Sequence, residues 1–380
     1  MPDYPLLTRR FIRLQAVLHL YAFYICKKAN RDWALDQIHD DFTHDVFADP
    51  PADKARLAQE LQQATALFLS SLMPPRTPPA RTCSSHSHVL AVVDRAHAHY
   101  KRELAKDQRG LEAGFTEAVA KINQACVRIW QLLIEWAYIA KRQNERPKQS
   151  QQQTETVSVA LAHSQVLQHL QNDGLLAQLV QQKAADWHDH LYLVENWYHQ
   201  LVKPRSYVKP LAHPMAPHQD HQFLLFLIED IIFRESDIQA FFGNVDLRWL
   251  THKHIVRKLV LQGLEGCTSG GTSGSDLRVL DLVTHWQKEQ RFYTNLVQRT
   301  LQEDAALEVL IAKTTTNWTV DRIMLMDKTI IKLALCEMLY FTDIPIRVSI
   351  NEYIDLSKMY SMTKSSQFVN GLLDAIAGTL

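Results

Sequence analysis

The chain has 380 residues, of which 46% are hydrophobic, enough for two or three domains' worth of core, and this excludes a disordered protein overall. Its 41 Lys and Arg balance 41 Asp and Glu, so no global field drives it onto nucleic acid, an anionic membrane or an acidic substrate. The five cysteines, Cys26, Cys83, Cys126, Cys267 and Cys336, are scattered without a CxxC pair, which argues against a disulfide framework or a zinc site and for a reducing compartment.

The longest apolar runs, such as FLLFLI at 223–228, are far below membrane-spanning length, and the start of the chain lacks a signal-like apolar core. A cytoplasmic protein without membrane contact is expected. Of 11 glycines, Gly263, Gly266, Gly270, Gly271 and Gly274 fall in one stretch. Elsewhere the turn punctuation that sheets need is scarce, so the expected fold class is all-α.

In chain order, a first helix is expected from Thr8, as N-cap, to about Lys28. At 100° per residue Phe11, Leu14, Leu18, Tyr21 and Ile25 share a stripe facing a core. Arg9, Arg10 and Arg13 lie on another face, to which Lys27 and Lys28 return. Residues 1–31 carry six Lys and Arg against Asp3 alone, a local basic surplus that the net charge hides. A helix is read over 53–72, then a Pro/Ser linker at 73–88. A further pair of helices follows, the second with Phe115, Val119, Ile122, Cys126, Ile129, Leu133, Trp136 and Ala140 at three- and four-residue spacing. The tract KQSQQQTET at 148–156 reads as a loop. Four prolines in 201–221 forbid a continuous helix and mark a boundary. Two helices and a Gly/Ser loop at 263–276 come next, then helices over 277–312, 320–341, 349–360 and 365–377. Ser349 and Glu352 in SINE match a capping box, and Pro345 should end the preceding helix. The expected divisions are 1–30, 31–215, 216–276 and 277–380.

Two stretches, TRRFIRLQAVLHLYAF at 8–23 and NWTVDRIMLMDKTIIKLALCEMLYFTDIPIRVSINEYIDLSKMYSMTKSSQFVNGLLDAIA at 317–377, resemble the NusB family of bacterial transcription antitermination factors. The order and spacing of IPIRVSINE and S-QFVNG-LD make the second stretch highly specific; FYTNLVQRTL at 292–301 resembles the helix before it. The chain is more than twice the usual family length, like the long NusB-like proteins with helices inserted after the first. The resemblance implies two small packed helical bundles plus a large inserted helical region. It also implies binding of boxA-type single-stranded RNA with NusE, a small-subunit ribosomal protein, within the RNA polymerase antitermination complex on ribosomal RNA operons.

By that resemblance Arg9, Arg10 and Arg13 contact RNA, as do Lys364, Ser365 and Phe368 at the start of the last helix. Guanidinium forks and a helix N-terminus both suit phosphate. Asp327, Lys328 and Lys332 would line the NusE contact zone. From the residues alone, the arginines equally read as a solvated helix face, Phe368 as core, and the Asp327 helix as an ordinary charged face. In the last helix Phe368, Leu372 and Ile376 would face the core, with Gly371 allowing close helix approach. The histidine pairs His86/His88, His97/His99, His188/His190 and His252/His254 point to different sides of a helix, so no metal is expected. GxSxG, P-loop, HExxH and dinucleotide fingerprints are absent, so neither catalytic residues nor cofactors are expected. The alternative function is a helical interaction scaffold that has lost RNA binding.

Overall fold

The structure, a computed structural model, describes residues 7–43, 54–72, 87–144, 156–172, 174–182, 185–204, 216–268, 286–315, 322–362 and 365–379. Among these every regular element is helical, in agreement with the glycine-poor composition. Helix α1 spans Arg9–Asp41, and its start is the expected one: the Phe11 amide donates to Thr8 Oγ1 at 3.3 Å, the N-cap bond that satisfies an otherwise orphaned amide.

The helix does not stop near Lys28. Ala34, Ile38 and Phe42 continue an apolar seam that packs against α2 (Lys54–Ser71) and the first part of α3 (Ser87–Asn144). That small core closes around Ala64, Phe68, Val89, Val92, Val93, Ala96 and Tyr100, with the Phe68 and Tyr100 rings edge to face at 6.1 Å. Burying each large apolar side chain contributes about 1.5–3 kcal/mol, which holds an α1 extension that is charged on its other faces. The stripe predicted for α1 also shifts: Phe11 and Leu14 are buried, but Ile25 is exposed and Leu20, Phe23 and Tyr24 take the core side. Helix α3 is one element of 58 residues rather than a pair, about 87 Å long at 1.5 Å per residue. Gly110 sits inside it with open space around and does not break it.

The chain forms two compact units, one of Met1–Phe11 with Thr116–Arg291, the other of Ile12–Phe115 with Phe292–Leu380. The expected divisions at 30, 215 and 276 do not follow these units, because α1 and α3 each contribute to both.

In the first unit the second half of α3 is joined by α4 (Thr156–His163), α5 (Gln165–Gln171), α6 (Gly174–Gln182) and α7 (Leu191–Trp197), which runs on as a π-helical turn through Val202. Then come α8 (Pro217–Phe226), with a π-helical turn to Ile232, α9 (Ser236–Val245) and α10 (Trp249–Thr268). Pro217 occupies the first helical turn, where its missing amide costs nothing. The buried indoles are satisfied by backbone: Trp136 Nε1 donates to Val194 O at 3.2 Å and Trp187 Nε1 to Arg128 O at 3.0 Å. Gly263 and Gly266 lie within α10, so the Gly/Ser stretch begins as helix. Its remainder at 269–276, most of the Pro/Ser linker and of the glutamine tract, and the middle of the proline-rich boundary lie outside the described residues.

In the second unit the C-terminal part comprises α11 (Gln287–Gln302), α12 (Asp304–Thr314), α13 (Leu325–Tyr340), α14 (Ile346–Tyr360) and α15 (Ser365–Ala377). The helix expected over 277–312 is thus interrupted at Glu303. Tyr293 stacks on Phe115 at 4.2 Å and donates its only hydroxyl proton to Leu111 O at 2.9 Å. Its 2.7 Å contact with His19 Nδ1 therefore requires that nitrogen to carry the proton.

The capping box is not one. Helix α14 starts at Ile346 after Pro345, so Ser349 lies within the helix, fully buried. On α15 the core side is Val369, Leu372, Leu373 and Ile376, with Phe368 only half-buried. A Cβ on Gly371 would meet nothing within 4 Å, so the expected close helix approach is absent.

Candidate nucleic-acid interface

The arginines at the start of α1 part company. Arg9 and Arg10 are exposed on the first turn, the turn fixed by Thr8. One turn on, Arg13 is 2% exposed and forks onto a carboxylate: Nε reaches Glu337 Oε2 at 2.8 Å and Nη2 reaches Oε1 at 2.7 Å. Ser349 donates to Glu337 Oε1 at 2.6 Å and Tyr353 to Oε2 at 3.2 Å, so the fully buried carboxylate has donors on both oxygens. Glu352 Oε2 stands 3.7 Å from Arg13 Nη1, beyond a hydrogen bond but adding negative charge.

Burial acts to lower the Arg13 pKa, but the bond and charge of Glu337 outweigh it and hold the group above its ordinary value. Burial and the same carboxylate push the Tyr353 hydroxyl well up. Arg13 is thus a structural cation rather than an RNA-facing one, which corrects its grouping with Arg9 and Arg10. The sequence did carry a signal for this: Glu337 is the one acid in the apolar run IIKLALCEML, and a charge there needs a buried partner.

Two of the three residues expected to meet a partner protein, Lys328 and Lys332, are also engaged internally. Lys332, 3% exposed, donates to Asp304 Oδ1 at 2.6 Å and lies 5.2 Å over the Tyr24 ring. Lys328 bonds Glu308 Oε1 at 3.1 Å, and Tyr24 donates to Asp304 at 2.7 Å. Although burial works to raise the Asp304 pKa, Lys332, Tyr24 and Lys27 hold it below the usual carboxylate range. Asp327 is buried, and its Oδ1 makes no hydrogen bond among the described residues. An outward-facing contact surface of Asp327 and Lys332 is therefore not what the fold presents.

At the start of α15, the Ser365 amide donates to Met362 O at 2.8 Å, and Ser365 and Phe368 are both half-buried. Lys364 lies outside the described residues. Among the described residues no group of three or more His, Cys, Asp or Glu could hold a metal ion, and no helix is long and apolar enough to cross a membrane.

The profile of the NusB family matches residues 254–378. The transcription antitermination protein NusB of Bacillus subtilis (strain 168) is 39% identical over 105 residues, which are 27% of this chain and 80% of that protein. The chain belongs to the NusB family. The NusB of Natranaerobius thermophilus is 40% identical over 99 residues, covering 24% of this chain and 71% of the relative. That of Chloroherpeton thalassium is 42% identical over 88 residues, covering 23% of this chain and only 42% of the relative. No solved structure matches the chain significantly. Within this NusB-family chain, the Arg13–Glu337 cluster ties the first helix to α13 and α14 of the matched region, and most of the sequence is an extension beyond the part shared with relatives.

Proposed function

We propose that this NusB-family protein is a non-catalytic, cytoplasmic transcription antitermination factor that binds boxA-type single-stranded RNA together with NusE. It would act in the RNA polymerase antitermination complex, favouring processive transcription of ribosomal RNA operons. The observation that carries this reading is the pair Arg9 and Arg10, exposed on a capped helix start in a chain whose relatives are named antitermination proteins. Guanidinium groups at that position supply phosphate contacts, and each contact adds about 0.7 to the log–log salt slope for a single strand. The first turn of α15 is a second proposed contact, through the backbone amides that follow Ser365 and the Ser365 hydroxyl, with Lys364 adding charge.

Fluorescence anisotropy of a labelled boxA-like RNA tests this, comparing wild type with Arg9→Glu/Arg10→Glu, with and without purified NusE. Arg13 is left intact, since a glutamate there would face Glu337 and unfold the helix pair. Tighter binding with NusE, lost in the variant with its helical circular dichroism unchanged, is the expected result. Equal and weak binding by both proteins would overturn it and favour the scaffold reading. That reading has one observation of its own: Leu247 and Leu250 are 96% and 85% exposed beside the start of α10, the kind of apolar display that protein partners cover.

A further inference from the structure

We propose that the buried His252–Asp246 pair is the positioning device for Arg9 and Arg10, holding the first turn of α1 through Phe11 in the geometry that RNA binding uses. The inference rests on the RNA reading above. Phe11 follows the two arginines directly, is 3% exposed, and meets the His252 ring edge to face at 5.9 Å and 66°. His252 is itself fully buried, with Nδ1 2.6 Å from Asp246 Oδ2.

Asp246 cannot turn away. Its Oδ1 accepts from the Arg248 amide at 3.0 Å, and its carbonyl accepts from the Trp249 amide at 2.9 Å. Trp249 is in turn locked, stacked on Phe242 at 4.8 Å with Nε1 donating to Gln239 Oε1 at 3.1 Å. The imidazole therefore has a fixed ring plane. Its Nε2 is buried and makes no hydrogen bond among the described residues.

Packing alone does not account for such a pair. An apolar side chain would support Phe11 without the desolvation cost of a buried acid and base. What the bond to Asp246 adds is orientation of the surface against which Phe11 rests. Orientation matters here because one residue of helix register turns a side chain by about 100°, enough to carry both guanidinium groups off a phosphate track.

The test measures affinity and salt slope for a fluorescein-labelled boxA-like RNA with full-length protein. The variants are Arg9→Gln/Arg10→Gln, His252→Ala, His252→Phe, Asp246→Asn, and His252→Ala combined with the two arginine changes. The arginine variant should lower the slope by about 1.4, two contacts' worth, and the His252 variants should move affinity and slope toward it. The combined variant should lose nothing further, since the same contacts are already gone. Asp246→Asn should bind as wild type, because the amide can keep both bonds: its oxygen accepts from the Arg248 amide while its NH2 donates to His252 Nδ1 in the other ring tautomer.

His252→Phe keeps a planar ring against Phe11 while removing the bond to Asp246, and so serves if the alanine variant does not fold. Independent, multiplicative losses, a wild-type slope in His252→Phe, or an Asp246→Asn as weak as His252→Ala would each overturn the positioning role. If Arg9→Gln/Arg10→Gln binds as wild type, the RNA reading itself fails. If that variant is weakened and the His252 variants are not, only the positioning role fails.

Discussion

Arg13 and Glu337 are 324 residues apart in the chain, yet the guanidinium of one holds both carboxylate oxygens of the other inside the second unit. Replacing Glu337 by Gln leaves a buried cation whose nearest carboxylate is Glu352 at 3.7 Å. The expected cost is about 3–5 kcal/mol, seen as a lower urea midpoint. Arg13→Met with Glu337→Leu, which removes both charges, should cost less than Glu337→Gln alone. A Glu337→Gln protein as stable as wild type would contradict the account.

The Lys332–Asp304 pair gives a pH-dependent prediction. Asp304 has a folded pKa below its unfolded one, near 3.9 for a free aspartate. Its stabilising contribution is therefore complete above about pH 4 and is lost as pH falls through the depressed folded value. Lys332→Met should destabilise by about 2 kcal/mol at neutral pH. The gap between wild type and variant in thermal unfolding should close as the solution is acidified below that range.

In the small core of α1, α2 and α3, Phe68 is fully buried. Phe68→Ala should cost about 3–5 kcal/mol, but locally: amide exchange should accelerate over 54–72 while 325–340 keep wild-type protection. Equal acceleration in both segments would mean that this core and the C-terminal helices unfold as one.

Gly371 lies inside α15 with open space where a Cβ would stand. Gly371→Ala should therefore stabilise the protein by roughly 0.5–1 kcal/mol through helix propensity, raising Tm. A lower Tm would restore the close-packing role expected from the sequence.

These residues also show what the sequence makes legible. Helix α15 and the helical class follow from local periodicity, and Thr8 announces the start of α1 through chemistry confined to one turn. Arg13 is different. It repeats the Arg9 face at i+4, and only Glu337, remote in sequence, makes it a buried ion rather than a surface one. The α1 extension was hidden for a similar reason: among the charges of NRDWALDQIHDD, Ala34 and Ile38 form a seam whose meaning depends on α2. Ser349 and Glu352 satisfied a local motif, but Pro345 moved the helix start upstream and left the serine hydroxyl to Glu337. His252 and Asp246, six residues apart, fit no common motif, and their pairing depends on the turn between α9 and α10.

The distance between Arg13 and Glu337 also sets a clock. At about 5–20 residues per second of synthesis, the arginine emerges on the order of 20–60 s before its acid exists. The seam of α1 with α2 and early α3 needs nothing beyond Leu104, so that part of the nascent chain can condense while Arg13 still lacks its mate. A newborn chain thus passes through an interval in which Arg9, Arg10 and Arg13 form one continuous basic strip, a surface that the finished fold abolishes.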